Sequence, residues 1–133
     1  MTFACHISSF FFHRSPDLLS GGGGGGAAAV VSAGAVFVVT PGFRPDVVER
    51  CLELGLDVLP GVATAGELMG ALALGLDTVK LFPAEVLGGV AMVDALAGPF
   101  PDVRLVPSGG VTSQRAAAYL ERPTVLAVSQ SLQ

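Results

Sequence analysis

The chain has 133 residues, enough for one compact domain, and a formal net charge of −4 at pH 7. Hydrophobic residues make up 51% of the chain and charged residues only 14%, so most of the sequence is suited to building a core. The acidic balance argues against a nucleic-acid-binding protein, because contacts to a phosphate backbone need clustered lysines and arginines. Cys5 and Cys51 lie far apart and His6 and His13 are isolated, so we expect free thiols and no metal site.

The first segment, residues 1–32, is interpreted as a low-complexity, poorly ordered leader. It contains six consecutive glycines, Gly21 to Gly26, which have large backbone entropy and no side chains to pack. A phosphate-binding loop would place its glycines at chosen positions beside a lysine or a helix start, so a linker is favoured. An organellar targeting peptide is a weaker alternative, because the segment has a single arginine and no evident cleavage site. The apolar residues 27–39 are too few for a membrane span, and no membrane partner is expected.

Residues 33–133 are predicted to form one α/β domain, because short apolar runs alternate there with helical patterns. Strands are predicted over 36–40, 57–60, 78–82, 104–107 and 124–128. Helices are predicted over 46–54, 64–75, 89–96 and 113–122, and Thr64 and Glu67 form a capping box at the head of the second.

This alternation, with about 20–25 residues per unit, indicates a parallel sheet of βα units. Two architectures fit: an open doubly wound sheet and a (β/α)8 barrel. The residues able to do chemistry fall at the carboxyl ends of successive strands, which favours the barrel. About five βα units are too few to close a barrel, so the predicted fold is an incomplete TIM barrel preceded by an irregular glycine-rich segment.

Lys80 is the only lysine in the chain and the leading catalytic candidate. It lies in the predicted strand TVKLF, where side chains alternate, so Lys80 and Phe82 share one face and Val79 and Leu81 the other. If the second pair faces the helices, Lys80 points into the barrel. Desolvation would then lower the pKa of its amine, and a neutral amine can attack a carbonyl carbon. The alternative is a lysine on an edge strand whose ammonium group reaches water.

Two loops follow predicted strands at the same edge of the sheet. The sequence PSGGV contains Ser108, Gly109 and Gly110 just before a helix, where backbone amides can bind an anion. Taken alone, this sequence favours an ordinary strand-to-helix turn over an anion site. The run 40–42, Thr-Pro-Gly, similarly predicts a tight turn. Glu85 is interpreted as favouring the start of the next helix rather than as a site residue.

Five short motifs, taken together, resemble the 2-keto-3-deoxy-6-phosphogluconate (KDPG) and 4-hydroxy-2-oxoglutarate aldolase family. They are FVVTPG, LPGVAT, VKLFPAE, AGPF and VPSGGV, and they occur in the family's order and at its spacing. The resemblance covers residues 33–128, and motifs in register are far more specific than any one of them. It implies the C-terminal part of a TIM-barrel enzyme.

The family is one of class I aldolases, which are carbon–carbon lyases that act through a Schiff base. The implied reaction cleaves 2-dehydro-3-deoxy-6-phosphogluconate to pyruvate and glyceraldehyde 3-phosphate. Lys80 matches the lysine that forms the Schiff base, and Phe82 matches the aromatic residue beside it. The implied substrate-binding residues are Thr40, Pro41, Gly42, Phe82, Ser108, Gly109, Gly110 and Ser131. No cofactor or metal is implied; the partners implied are a small phosphorylated 2-keto acid and further copies in a homotrimer, in the cytoplasm.

Two departures from the family pattern bear on activity. The family's general acid/base is a glutamate on an early strand, and the first 35 residues contain no match for it, so this role is unassigned. The two glycines that should precede Ser131 are absent, which leaves the unphosphorylated 4-hydroxy-2-oxoglutarate open as a substrate. Since a positioned acid/base contributes ~10²–10⁴-fold, we expect very low turnover. The alternative is an inactive truncated remnant, or a gene-model fragment of the family, without turnover.

Overall fold

The computed structural model describes residues 37–130, in which strands and helices alternate along the chain. The elements are β1 (Phe37–Thr40), α1 (Pro45–Glu53), β2 (Asp57–Val62), α2 (Ala65–Ala73), β3 (Thr78–Leu81), α3 (Val90–Ala97), β4 (Arg104–Pro107) and α4 (Ser113–Leu120). The strands are parallel and form one sheet in the order β1-β2-β3-β4. The predicted parallel α/β fold is therefore confirmed. The predicted leader, residues 1–32, lies outside the described residues, as does Ser131.

The helices begin and end where local sequence signals place them. Pro45 occupies the first turn of α1, where its missing N–H costs nothing. The Thr64 hydroxyl accepts a hydrogen bond from the Glu67 amide at 3.1 Å, which confirms the predicted cap of α2. Gly55 follows α1 with a φ of +73° and Gly75 follows α2 with a φ of +85°, a conformation that glycine adopts without strain.

The fifth predicted strand, 124–128, does not form a continuous strand, and its neighbour β4 supplies the reason. The Leu105 amide donates to the Thr124 carbonyl at 2.7 Å, and the Leu126 amide donates to the Leu105 carbonyl at 2.9 Å. The next residue of β4 that would donate toward this segment is Pro107, which has no N–H. Only isolated bridges remain. Residues 37–130 thus contain four strand–helix units, and the expected count of about five is corrected to four followed by a bridged segment.

The helices pack against one face of the sheet. Two clusters of buried side chains lie there, one around β1, α1 and β2 and the other around β2, β3, β4 and the remaining helices. The strand residues in the larger cluster include Val62, Val79, Leu81 and Leu105. By strand alternation Lys80 faces the opposite side of the sheet. In the described part of the chain, no helix is long and apolar enough to cross a membrane.

Candidate active site

Lys80 lies near the carboxyl end of β3, an interior strand of the sheet. It is in register with Gly61 of β2 on one side and Val106 of β4 on the other. Its exposed fraction is 6%, so the alternative of an edge-strand lysine reaching water is wrong. Gly61 has no side chain, so the strand neighbour of Lys80 on the β2 side contributes only backbone.

The environment of Lys80 changes its protonation. Burial lowers the pKa of its amine, because removing water disfavours the charged ammonium form. Its Nζ atom lies 4.7 Å from the centroid of the Phe82 ring, whose π face attracts a cation. Desolvation acts in the opposite direction and is the cause of the shift. A lysine in this state supplies more neutral amine near neutral pH than an exposed one, which suits nucleophilic attack.

The turn after β1 closes over β2 beside the lysine position. Thr40 is buried, and its hydroxyl donates a hydrogen bond to the Gly42 carbonyl at 2.8 Å. A Cβ atom built on Gly61 would lie 2.2 Å from the Pro41 carbonyl oxygen, so the turn rests directly on β2. The turn predicted from the Thr-Pro-Gly sequence is thus present. The Thr40 hydroxyl serves the turn itself, whereas Pro41 and Gly42 are exposed at the edge of the sheet.

The residues 108–110, which we call the β4 loop, leave the sheet beside the end of β3. The Ser108 amide donates to the Leu81 carbonyl at 3.0 Å, and Ser108 is 9% exposed. Gly109 and Gly110 have φ angles of +95° and +76°. A Cβ atom added at Gly109 would lie 3.0 Å from Pro83 Cα and 3.1 Å from atoms of the Phe82 ring, so the loop packs closely against the residues that follow Lys80. The loop is followed by the N-terminus of α4, as an anion-binding turn requires.

Glu85 does not have the role expected from the sequence. The next helix, α3, begins only at Val90 and has no acidic residue in its first turn. The Glu85 carboxylate instead accepts hydrogen bonds from Arg115 and, at 2.5 Å, from the Tyr119 hydroxyl, both on α4. These bonds hold the pKa of Glu85 below its usual value, with the Tyr119 bond contributing most. Burial, together with the negative charge of Glu85, raises the pKa of Tyr119.

Sequence reasoning missed Arg115 and Tyr119, which we group with Glu85 as the Glu85 cluster. They lie 30 and 34 residues from Glu85, so no local pattern connects them. The one available signal was Tyr119 itself, the only tyrosine in the chain and one that falls on the apolar face of a predicted helix. Within residues 37–130, no three His, Cys, Asp or Glu side chains are grouped as metal ligands.

The structure therefore brings most of the predicted site residues to one edge of the sheet. Lys80 and Phe82 stand at the end of β3, the β4 loop lies beside them, and the 40–42 turn lies across β2. This arrangement joins a desolvated amine to a backbone turn able to bind an anion. It is suited to a substrate with a carbonyl group at one end and a negative charge at the other.

Comparisons with known proteins give a consistent result. A family model described as KDPG and KHG aldolase matches residues 4–132. The 2-dehydro-3-deoxy-phosphogluconate aldolase of Treponema pallidum is 51% identical over 100 residues, which are 75% of this chain and 48% of that protein. The Pseudomonas aeruginosa enzyme of the same name is 49% identical over 96 residues, 72% of this chain and 44% of that protein. The chain thus spans about half the length of these relatives.

A solved structure extends the likeness to the fold. The KDPG aldolase of Legionella pneumophila, captured with pyruvate as a covalent carbinolamine, superposes with a TM-score of 0.77 at 37% sequence identity. The match covers 80% of this chain and 52% of that one. Four strand–helix units of this chain therefore match part of a KDPG aldolase structure, in agreement with the predicted partial barrel.

Proposed function

The chain belongs to the KDPG and KHG aldolase family, and on that premise we propose that it performs class I aldolase chemistry through the amine of Lys80. The proposed reaction is the cleavage of 2-dehydro-3-deoxy-6-phosphogluconate to pyruvate and glyceraldehyde 3-phosphate, with 4-hydroxy-2-oxoglutarate as a further substrate. The observation that carries the proposal is the burial of the only lysine, with a lowered pKa, beside the glycine-containing β4 loop. The pyruvate carbinolamine of the Legionella relative supports it.

The proposed chemistry starts with attack of the neutral Lys80 amine on the keto carbon, which gives a carbinolamine. Loss of water leaves a protonated imine. When the bond between C3 and C4 breaks, a general base takes the proton of the C4 hydroxyl, the imine accepts the electron pair of the broken bond, the aldehyde leaves and an enamine remains. Protonation at C3 and hydrolysis then release pyruvate and restore the amine. These steps transfer protons and one electron pair between carbon and nitrogen, so no redox cofactor takes part.

The remaining site residues hold the substrate in the proposed complex. The amides of the β4 loop, ahead of the α4 N-terminus, would bind the phosphate group. Phe82 and Pro41 would border the pyruvoyl group, and the Ser108 hydroxyl would lie near its carboxylate end. Ser131 keeps its predicted place in the phosphate site by family resemblance, since it lies outside the described residues.

The general acid/base is unassigned in this proposal. Glu85 is the nearest carboxylate along the chain to Lys80 on the C-terminal side, but its oxygens already bind Arg115 and Tyr119. Since a positioned acid/base contributes ~10²–10⁴-fold, we expect imine formation to be preserved better than turnover. A family member that forms the imine but does not cleave substrate is the second candidate function. Separate measurement of the two steps distinguishes it from an enzyme.

The finer proposals on assembly and location rest on family resemblance. We expect a homotrimer, which sedimentation equilibrium would report as three times the chain mass. We also expect a cytoplasmic location, because the main proposed substrate is a phosphorylated intermediate of carbohydrate metabolism.

The experiment that tests the proposed function is borohydride reduction in the presence of pyruvate, followed by the intact mass of the chain. A reduced imine on Lys80 adds one pyruvate-derived group per chain. The matched variants are Lys80→Met, which removes the amine, and Lys80→Arg, which retains a cation that cannot form this imine. We expect the adduct in the unsubstituted chain and in neither variant. Absence of an adduct at saturating pyruvate contradicts the proposal.

A further inference from the structure

Glu85 joins two parts of the site that come from distant parts of the sequence. It lies in the turn that follows β3, five residues after Lys80, and its side chain is 19% exposed. Its carboxylate binds the Tyr119 hydroxyl at 2.5 Å and the Arg115 guanidinium. Tyr119, on α4, is fully buried, so the packing around its ring fixes the position of its hydroxyl. The lysine strand is thereby tied to the helix that follows the β4 loop.

Backbone contacts couple the same turn to the β4 loop. The Ala84 amide donates to the Ser108 carbonyl at 2.7 Å, and the Glu85 amide donates to the Gly109 carbonyl at 3.2 Å. The side chain adds to this, because a Cβ built on Gly110 would lie only 3.0 Å from Glu85 Cβ and 3.1 Å from its Cγ. The Glu85 stem therefore rests on Gly110 of the β4 loop.

The same contacts reach the lysine through Phe82. The Phe82 ring lies against Gly109, where an added Cβ would come within 3.1 Å of it, and its centroid is 4.7 Å from Lys80 Nζ. A shift of the β4 loop would therefore move the ring, or open a gap between ring and loop. Either change loses van der Waals contacts between the ring and the loop.

We propose that Glu85 is a positioning residue that fixes the separation between the Lys80 amine and the glycines of the β4 loop. This inference rests on the proposed function, in which a phosphorylated 2-keto acid engages both at once. Glu85 then acts through Tyr119 and Arg115 and does not touch the substrate. Its role is selective, because a ligand that engages only Lys80 does not depend on the distance to the loop.

A catalytic role for the Glu85 carboxylate fits the geometry less well. Both oxygens already accept hydrogen bonds from the other members of the Glu85 cluster. Those bonds keep the carboxylate charged, whereas a general acid must carry a proton at the operating pH. The contacts of Glu85 with the β4 loop, in contrast, are direct and involve both its backbone and its stem.

The test compares three ligands by the concentration that half-saturates borohydride trapping at Lys80. Pyruvate reports the lysine end alone. The pair 2-dehydro-3-deoxy-6-phosphogluconate and its unphosphorylated counterpart 2-dehydro-3-deoxygluconate reports the contribution of the phosphate. The variants are Glu85→Gln and Tyr119→Phe, and the matched control is Glu49→Gln, which makes the same chemical change at an exposed position on α1.

For Glu85→Gln we expect the preference for the phosphorylated ligand to fall by about tenfold, as when a charge-assisted hydrogen bond is lost, with pyruvate trapping unchanged. Tyr119→Phe keeps the ring and should give a smaller change in the same direction, which covers the case in which Glu85→Gln does not fold. Glu49→Gln should match the unsubstituted chain. An unchanged phosphate preference in either variant, or an equal loss for all three ligands, overturns the inference. Absence of the pyruvate adduct in the unsubstituted chain overturns the proposed function, and the positioning role with it.

Discussion

Gly61 stands where the turn after β1 passes over β2, and the structure leaves no room there for a side chain. A Cβ atom at this position would lie 2.2 Å from the Pro41 carbonyl oxygen, 2.4 Å from the Pro41 carbonyl carbon and 2.9 Å from the Gly42 nitrogen. All three are backbone atoms, so none can rotate away as the end of a flexible side chain would. Gly61→Ala must therefore displace the turn or bend β2 at the position that is in register with Lys80.

We expect Gly61→Ala to lower the free energy of unfolding by about 3 kcal/mol, the upper end of the range for overpacking, because the Cβ atom added on a short strand overlaps backbone atoms. With a urea dependence of about 1.5 kcal/mol per molar, the unfolding midpoint falls by about 2 M. Urea titration followed by far-ultraviolet circular dichroism measures it. The control is Gly42→Ala in the same turn, where an added Cβ meets nothing within 4 Å, and its midpoint should not fall. Equal midpoints for the two variants would refute the packing of this turn on β2.

Three further predictions concern Lys80, the cap of α2 and the Glu85 cluster. Burial lowers the pKa of Lys80, so between that pKa and 10.5 the unfolded chain holds a proton that the folded chain lacks. The free energy of unfolding therefore rises with pH over this range. Urea titrations from pH 7 to 10 should show this rise, and Lys80→Met should remove it. Thr64→Ala should lower the free energy of unfolding by about 1 kcal/mol, because it removes the side-chain cap of α2. Thr112→Ala should not, because Thr112 precedes α4 without a side-chain cap. Equal losses of stability in the two variants would contradict this prediction. The pKa of Glu85 is lowered, mainly by its hydrogen bond with Tyr119. The charged Glu85 carboxylate therefore stabilises the fold at neutral pH, and this stabilisation is lost as pH falls through the lowered pKa. An acid titration of Glu85→Gln should lack this step, and an acid transition identical to that of the unsubstituted chain would contradict the prediction.

Much of the fold could be predicted because its signals are local. The period of apolar residues, Pro45 at the start of α1 and the Thr64 cap all lie within a few positions of the feature they specify. The burial of Lys80 was also accessible, since apolar residues flank it on a short strand between two others. Strand alternation then assigned it to the face opposite Val79 and Leu81, which pack against the helices.

The features that sequence reasoning missed depend on partners far along the chain. The pairing of residues 124–128 with β4 is interrupted after Leu105, because Pro107 has no N–H to donate to that segment. This could be foreseen only with the knowledge that β4 is the neighbouring strand, although a proline inside a strand is itself a warning. Glu85 could be assigned to a helix start because nothing nearby in sequence indicates Tyr119. Gly61 likewise looks like an ordinary turn residue until the path of the preceding turn is known. Long-range contacts of this kind leave no periodic trace.

The most direct test of the central claim, that the buried amine of Lys80 forms an imine with a 2-keto acid, is a tryptic map after borohydride trapping with pyruvate. Trypsin cuts after Arg50, Lys80 and Arg104, which releases peptides 51–80 and 81–104 from the untreated chain. It does not cut after a modified lysine, so we expect trapping to replace these two peptides with a single peptide 51–104 carrying the reduced adduct. Retention of both unmodified peptides at saturating pyruvate, or an adduct confined to the N-terminal amine, would contradict imine formation at Lys80.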